Sequence, residues 1–503
     1  MNKLIKKYWP LITVLLISAF LRLYKISGYM TFLGDEGRDA LVWLRMIRNG
    51  KFTLIGPQTS IGNMYLGPLY YYLMLPFYFF LGTVGPSIGV ALFGMATTYL
   101  LWLCGREWFS EKVGLISAFF YAISPVAITF SRSSWNPNVM PFFALLSIWG
   151  VWQFWQKNEF WWLPVIGVTL SFAIQSHYLG LLLIPVVGIF WVVTVRAQKS
   201  KKTLKKFLLF SGLCVLCFVF LTALPLVWFD LRHNFLNSKA FYKFFSERQT
   251  TVNFKVYKAI PELWPLWEMA ITRLLAGKNE IFGFWLAIII GVSAFIFVFH
   301  KKEIFFKRKG LVLILIWLGV GLLGMGLYKQ HVYDHYFGFL YPTIFLLAGW
   351  TIFQPEIFHH FWRYFSWILV LAIIILNLLE NPLKYPPNDQ MAKVEEIDQK
   401  IITEAGNQSY NFALIAKQNY EAGYEYFLEL WGKPPVQIDP QKFEQTISDQ
   451  LFVVCEDPVC EPVTNSKAGI ANFGWSKVEE EWNFPWGVKL FKLVHTKKGN
   501  HAS

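Results

Sequence analysis

The stretch Leu66-Gly-Pro-Leu-Tyr-Tyr-Tyr-Leu-Met-Leu-Pro-Phe-Tyr-Phe-Phe-Leu81 decides how this chain is threaded. It is apolar enough to enter a bilayer but shorter than the roughly 20 residues a spanning helix needs. It also carries Pro68 and Pro76. If it crossed the membrane, every later loop would change sides. The basic loops Arg196–Lys206 and His300–Lys309 would then leave the cytoplasmic face, against the preference of Lys and Arg for that side. The stretch therefore reads as an interfacial or re-entrant segment against the outer face.

Apolar runs flank it on both sides, and about eleven reach spanning character. They lie near 9–24, 86–105, 113–130, 139–156, 161–176, 179–195, 207–228, 283–299, 310–328, 337–353 and 364–379. Composition agrees: 55% of the 503 residues are hydrophobic and 16% charged, against roughly 25% charged in soluble domains. The net charge of +14 sits in short loops, which speaks for cytoplasmic loops and against nucleic acid. Lys3, Lys6 and Lys7 precede the first run with no small-residue cleavage site behind it, which predicts an uncleaved first span with the N-terminus in the cytoplasm of a plasma (inner) membrane protein.

These readings give a polytopic α-helical membrane protein with a C-terminal extracytoplasmic α/β domain. A membrane module covers 1–382, with outer loops at 25–85 and 229–282, the second built from short interfacial helices. The outer domain covers 383–503. In it Asn388–Gly406 and Glu421–Trp431 read as helices, and Phe412–Ala416, Leu451–Cys455 and Val488–Val494 as strands. Cys455 and Cys460 stand close enough for a local disulfide on the outer side. Cys214 and Cys217 read as small apolar residues of a hydrophobic helix.

The first outer loop opens with Gly34-Asp-Glu-Gly-Arg-Asp39. Charge at a membrane interface needs a reason. The pattern predicts a helix over Glu36–Asn49 with Asp35 as N-cap and Gly50 as its stop. Ala40, Trp43, Leu44 and Ile47 share its apolar face, and Arg38, Arg45 and Arg48 point to water or lipid phosphate. The outer side offers no nucleotide sugar, and the chain has no Walker loop or Rossmann fingerprint. An activated sugar must then arrive on a lipid. Asp35 or Glu36 would accept the proton of an attacking hydroxyl, and Arg38 would meet the departing phosphate. Each of these groups also has a structural reading, as helix cap, first-turn acid or headgroup anchor.

The run Phe20-Leu-Arg-Leu-Tyr24 followed by Gly34-Asp-Glu-Gly-Arg-Asp-Ala40 resembles the start of GT-C fold glycosyltransferases. It is most similar to the branch of protein O-mannosyltransferases and lipid A aminoarabinose transferase. Gly67–Tyr70, Ser124-Pro125, Ser131-Arg132, Gln175–Tyr178 and Phe229–Phe235 extend the resemblance over residues 9–350. It implies a polyprenyl-phosphate-linked sugar donor, inversion at the anomeric carbon, Asp35 as base and Arg38 on the donor phosphate. Arg132, Arg232, His233, His335 and Tyr336 would join the phosphate contacts, and His177, Tyr178 and Tyr70 the substrate contacts. The acceptor would be a hydroxyl of a lipid, glycan or protein. No cofactor is expected. No metal is expected either, because the loop Ser131–Asn138 carries no carboxylate and a monophosphate leaving group lacks the bidentate diphosphate that recruits Mg²⁺. His331, Asp334 and His335 match metal ligands in type but not in spacing. A transporter or flippase, or a polymerase or ligase for lipid-linked glycans, stands as the alternative.

Overall fold

The computed structural model describes residues 2–59, 64–247, 251–300, 308–353 and 360–496. The basic run 301–307, part of the orientation argument, lies outside the described residues. Two compact units emerge. One contains residues 1–26 and 53–386, the other 27–52 and 387–503. The acidic segment, expected within the membrane module, thus groups with the C-terminal residues.

The first unit is mainly helical, and each expected apolar run falls on helix. Among the described residues, Leu69–Trp108, Tyr178–Ala197, Lys201–Arg232, Glu280–Val298 and Lys309–Gly326 are long and apolar enough to cross a bilayer. Trp162–Ser176, Tyr341–Ile352 and Tyr364–Leu379 are shorter apolar helices. The expected span 113–130 breaks between Glu111–Ile123 and Pro125–Phe130, because proline cannot donate the hydrogen bond that continuity requires. The deciding stretch forms a 13-residue helix, Leu69–Leu81. It buries Tyr70, Met74 and Tyr78 along one face, at intervals of one helical turn. A short turn at Gly82–Val84 then leads into Gly85–Trp108, against which it packs.

The region expected as short interfacial helices, 229–282, holds a 16-residue helix, Ile260–Leu275. Leu266, Trp267, Ala270, Ile271, Leu274 and Leu275 are buried at helical spacing, so packing makes this helix part of the bundle.

Two buried arginines tie helix ends together in this unit. Arg22 donates to the carbonyls of Ala122 and Tyr121, both at 3.1 Å, closing the end of Glu111–Ile123. Arg132 donates to the carbonyls of Leu21 at 2.6 Å and Tyr24 at 2.5 Å, closing the end of Asn2–Leu23. Orphan carbonyls at a helix C-terminus carry partial negative charge, so a buried guanidinium suits them.

The second unit is built on a four-stranded sheet. Its strands are β1 (Asn411–Ile415), β2 (Gln450–Cys455), β3 (Ser476–Asn483) and β4 (Lys489–His495), in spatial order β1-β2-β4-β3. β1 and β2 run parallel, with Ala413 opposite Val453, and the other pairings are antiparallel. β2 is buried on both faces, which explains its unbroken apolar run. One face packs Ala413, Leu451, Val453, Phe491 and Leu493 with Ile470 and Phe473. Helices Gln390–Ala405 and Ala422–Leu430 match the expected pair within two residues. Cys455 and Cys460 form a disulfide.

Candidate active site

The acidic motif starts the helix Gly34–Asn49. The N-cap is Leu33, not Asp35 as the spacing suggested. Glu36 does the capping work instead. Its Oε2 accepts the Leu33 N–H at 3.1 Å and its Oε1 the Thr31 hydroxyl at 2.5 Å. Glu36 is buried, and burial pushes its carboxyl pKa up, against the two donors that favour the charge.

Asp35 is left for other contacts. Its side chain is 40% exposed. Oδ1 accepts from Arg38 Nη1 at 2.7 Å and from the Tyr420 hydroxyl at 2.6 Å. Oδ2 makes no hydrogen bond among the described residues. Arg38 also donates through Nε and Nη2 to Asp39 Oδ1, at 2.9 and 2.8 Å. Its guanidinium therefore bridges two carboxylates of its own helix, where the sequence suggested a group waiting for phosphate. The remaining basic face is engaged as well. Arg45 grips the Glu429 carboxylate with two nitrogens, at 3.0 and 2.6 Å. Arg48 donates to the carbonyls of Glu429 at 2.8 Å and Leu430 at 2.6 Å, at the end of Ala422–Leu430. Both arginines remain exposed to water as expected, and Arg48 adds bonds to a helix C-terminus, which attracts cations.

Sequence reasoning missed Tyr420. Its ring lies over Gly34, where a Cβ would sit 2.4 Å from a ring carbon, and at Gly37 a Cβ would sit 2.3 Å from the Gly423 Cα. Both motif glycines thus permit close approach of residues 420–423.

In the helical unit, three suggested residues gather. The His177 ring lies 4.8 Å from that of Tyr336 and 5.9 Å from that of His335, and His335 lies 4.6 Å from Tyr336. Trp135 packs 4.5 Å from His335. Burial lowers His177 to about 4, and burial together with His177 lowers His335 to about 3. Both imidazoles are therefore neutral at pH 7, able to donate one hydrogen bond but carrying no charge. A narrow pocket beside them is lined by Tyr121, Phe130, Ser131, Asn138, His335 and Tyr341.

A second knot holds Tyr178, whose hydroxyl donates to the Tyr65 carbonyl at 2.6 Å. Tyr65 stacks toward Phe229 at 6.0 Å, and Phe229 carries the stacked ring of His233 at 4.1 Å. Asp230 in the same motif accepts the backbone N–H groups of Asn237 at 2.8 Å and Ser238 at 2.9 Å, fixing the next helix. Arg232 lies over the Trp228 ring, apart from both knots. The Tyr70 hydroxyl meets Ser134 at 3.1 Å. Arg132, suggested for phosphate, is buried in its helix-end role. Asp334 is paired with Arg273 at 3.4 Å.

With this geometry in place, known proteins give a consistent picture. Residues 68–228 match the model of the family described as dolichyl-phosphate-mannose-protein mannosyltransferase. A putative mannosyltransferase of Bacillus subtilis (strain 168), YkcB, is 26% identical over 136 residues. That match spans 26% of this chain and 18% of the relative's length. ArnT from Cupriavidus metallidurans, solved bound to undecaprenyl phosphate, superimposes with a TM-score of 0.60 at 11% identity, over 96% of this chain and 98% of that one. The archaeal oligosaccharyltransferase AglB of Archaeoglobus fulgidus, solved with an inhibitory peptide and a dolichol-phosphate, gives 0.51 at 14% identity, over 89% and 70%. The protein is a membrane protein with the GT-C glycosyltransferase fold. Within that fold, residues 68–228 are the part similar to the protein-mannosyltransferase family model.

Proposed function

We propose that this protein is an inverting glycosyltransferase. It moves a monosaccharide from a polyprenyl-phosphate donor to an acceptor hydroxyl on the outer face of the plasma membrane. Asp35 is the general base. The carrying observation is that Asp35 has one anchored oxygen and one open oxygen, whereas Glu36 uses both of its oxygens at the helix start. The acceptor O–H proton passes to Asp35 Oδ2 as its oxygen attacks the anomeric carbon. The bond from that carbon to the phosphate oxygen breaks, and polyprenyl phosphate leaves. The Cys455–Cys460 disulfide supports an extracytoplasmic C-terminal domain. No divalent ion is needed for a monophosphate leaving group.

The test is purified protein incubated with mannose and aminoarabinose donors on undecaprenyl or dolichyl phosphate. Release of the lipid phosphate, unaffected by EDTA, is the expected result. Donor movement across vesicles with no bond cleavage would replace the reading with a flippase.

A further inference from the structure

Residues 419–424 do more than pack beneath the acidic helix. Asn419 Oδ1 accepts the Gly34 N–H at 2.8 Å and the Tyr420 N–H at 2.9 Å. Its amide nitrogen donates to Glu456 Oε1 at 2.8 Å, an oxygen that also accepts the Tyr424 hydroxyl at 2.9 Å. Asn419 is thus fixed from behind while it clamps the first residue of the helix. Tyr420 follows directly, its ring seated on Gly34. The phenol oxygen also accepts from Arg38 Nη1 at 3.4 Å.

Its chosen partner is Asp35 Oδ1, at 2.6 Å, with Arg38 Nη1 2.7 Å from the same oxygen. A carboxylate can rotate about its terminal torsion at low cost. Two donors on one oxygen restrict that freedom and leave the other oxygen unbonded among the described residues. Burial raises the Tyr420 pKa, so the phenol keeps its proton and acts as a donor.

We propose that Tyr420 is a positioning residue for sugar transfer. The C-terminal domain delivers its phenol to Asp35 Oδ1, so that Oδ2 stands ready for the acceptor hydroxyl. The inference rests on Asp35 being the base. It makes the C-terminal domain a contributor to the chemical step. Geometry held to a fraction of an ångström governs kcat, while donor binding is unaffected by it.

The experiment uses the full chain in detergent, with whichever undecaprenyl- or dolichyl-phosphate sugar gives turnover, and normalises rates to folded protein by size-exclusion chromatography. Tyr420→Phe keeps the ring over Gly34 and removes only the hydroxyl. The expected result is a roughly tenfold fall in kcat, as for loss of one hydrogen bond to a charged group, with an unchanged donor KM and melting temperature. Gly34→Ala, which displaces the ring, is expected to lower kcat at least as far. In an Asp35→Asn background, Tyr420→Phe should cost nothing further, because it acts through that carboxylate. Wild-type kcat in Tyr420→Phe, with Asp35→Asn impaired, overturns this inference and leaves the base assignment standing. Absence of turnover in the wild type on every donor overturns the base assignment itself, and this inference with it.

Discussion

Arg132 in the helical unit and Asp35 in the C-terminal unit are both charged groups at the end of a helix, yet their surroundings differ in one decisive respect. Arg132 is buried, and its two terminal nitrogens are held by the carbonyls of Leu21 and Tyr24. Asp35 is part-exposed, and only one of its oxygens is bonded. A buried charge whose terminal nitrogens are bonded to helix-end carbonyls is architecture, since removing it leaves uncompensated polar groups. A charge held on one side and open on the other is prepared for a reactant. The same contrast separates Glu36, with both oxygens engaged, from its neighbour Asp35. Under the proposed function, engagement of the charged atoms, more than residue type, separates scaffold from chemistry.

The largest effect that tests this contrast is at Asp35. Asp35→Asn should lower kcat by about 10²–10⁴, the usual contribution of a general base, with melting temperature preserved. Near-normal turnover would erase the difference between the two regions. Arg132→Ala should do the opposite. It should cost about 3 kcal/mol of stability by stranding two helix-end carbonyls, measured by thermal unfolding in detergent. Arg132→Lys should recover part of that, since an ammonium cannot span both carbonyls as a planar fork does. Donor KM in the folded fraction should stay constant, and a large rise in KM would return Arg132 to the phosphate site. Glu36→Gln should be milder still. Its amide keeps one acceptor oxygen for the Leu33 N–H and turns an NH2 toward the Thr31 hydroxyl, which should cost about 1 kcal/mol. The kcat per folded molecule should remain within about tenfold of wild type.

Much of this fold is legible because lipid-facing and core-facing runs are written in apolar residues. The expected spans fall on helix, and the apolar strands β1, β2 and β4 lie within one residue of their expected positions. β3 was not legible. Its sequence Ser-Lys-Val-Glu-Glu-Glu-Trp-Asn places charge on both faces of an edge strand, which protects the edge but destroys the alternation that marks a strand. The acidic helix was legible, but its surroundings were not. Asp35 and Tyr420 lie 385 residues apart in sequence, and only folding joins them. Gly34 and Gly37 were a faint signal, because paired glycines beside a functional residue ask what approaches so closely. The targets of Arg132 were hidden for another reason: they are backbone carbonyls, which every sequence contains. The imidazole cluster was half visible, as histidines at two helix ends, without any indication that burial would leave them neutral.

Asp398 extends the contrast to its limit and yields the subtlest prediction. It sits on Gln390–Ala405, fully buried, and neither carboxyl oxygen has a hydrogen-bond partner among the described residues. Burial, with Glu395 on the same helix, drives its pKa well above the ordinary carboxylate range. The nearby phenols of Tyr424 and Tyr410 are raised by burial and by the same acid. The folded state therefore holds a proton that the unfolded chain releases above about pH 4. Stability from this group is complete below that pH and is lost as pH rises toward the folded pKa, at no more than about 1.4 kcal/mol per pH unit. Asp398→Asn keeps the shape and stays neutral. Unfolding followed by tryptophan fluorescence between pH 5 and 8 should show a flatter pH dependence in the variant, with the two proteins nearest in stability at the acid end. Equal slopes would mean that Asp398 finds a charge partner in solution, and would place it with the paired scaffold groups such as Arg132.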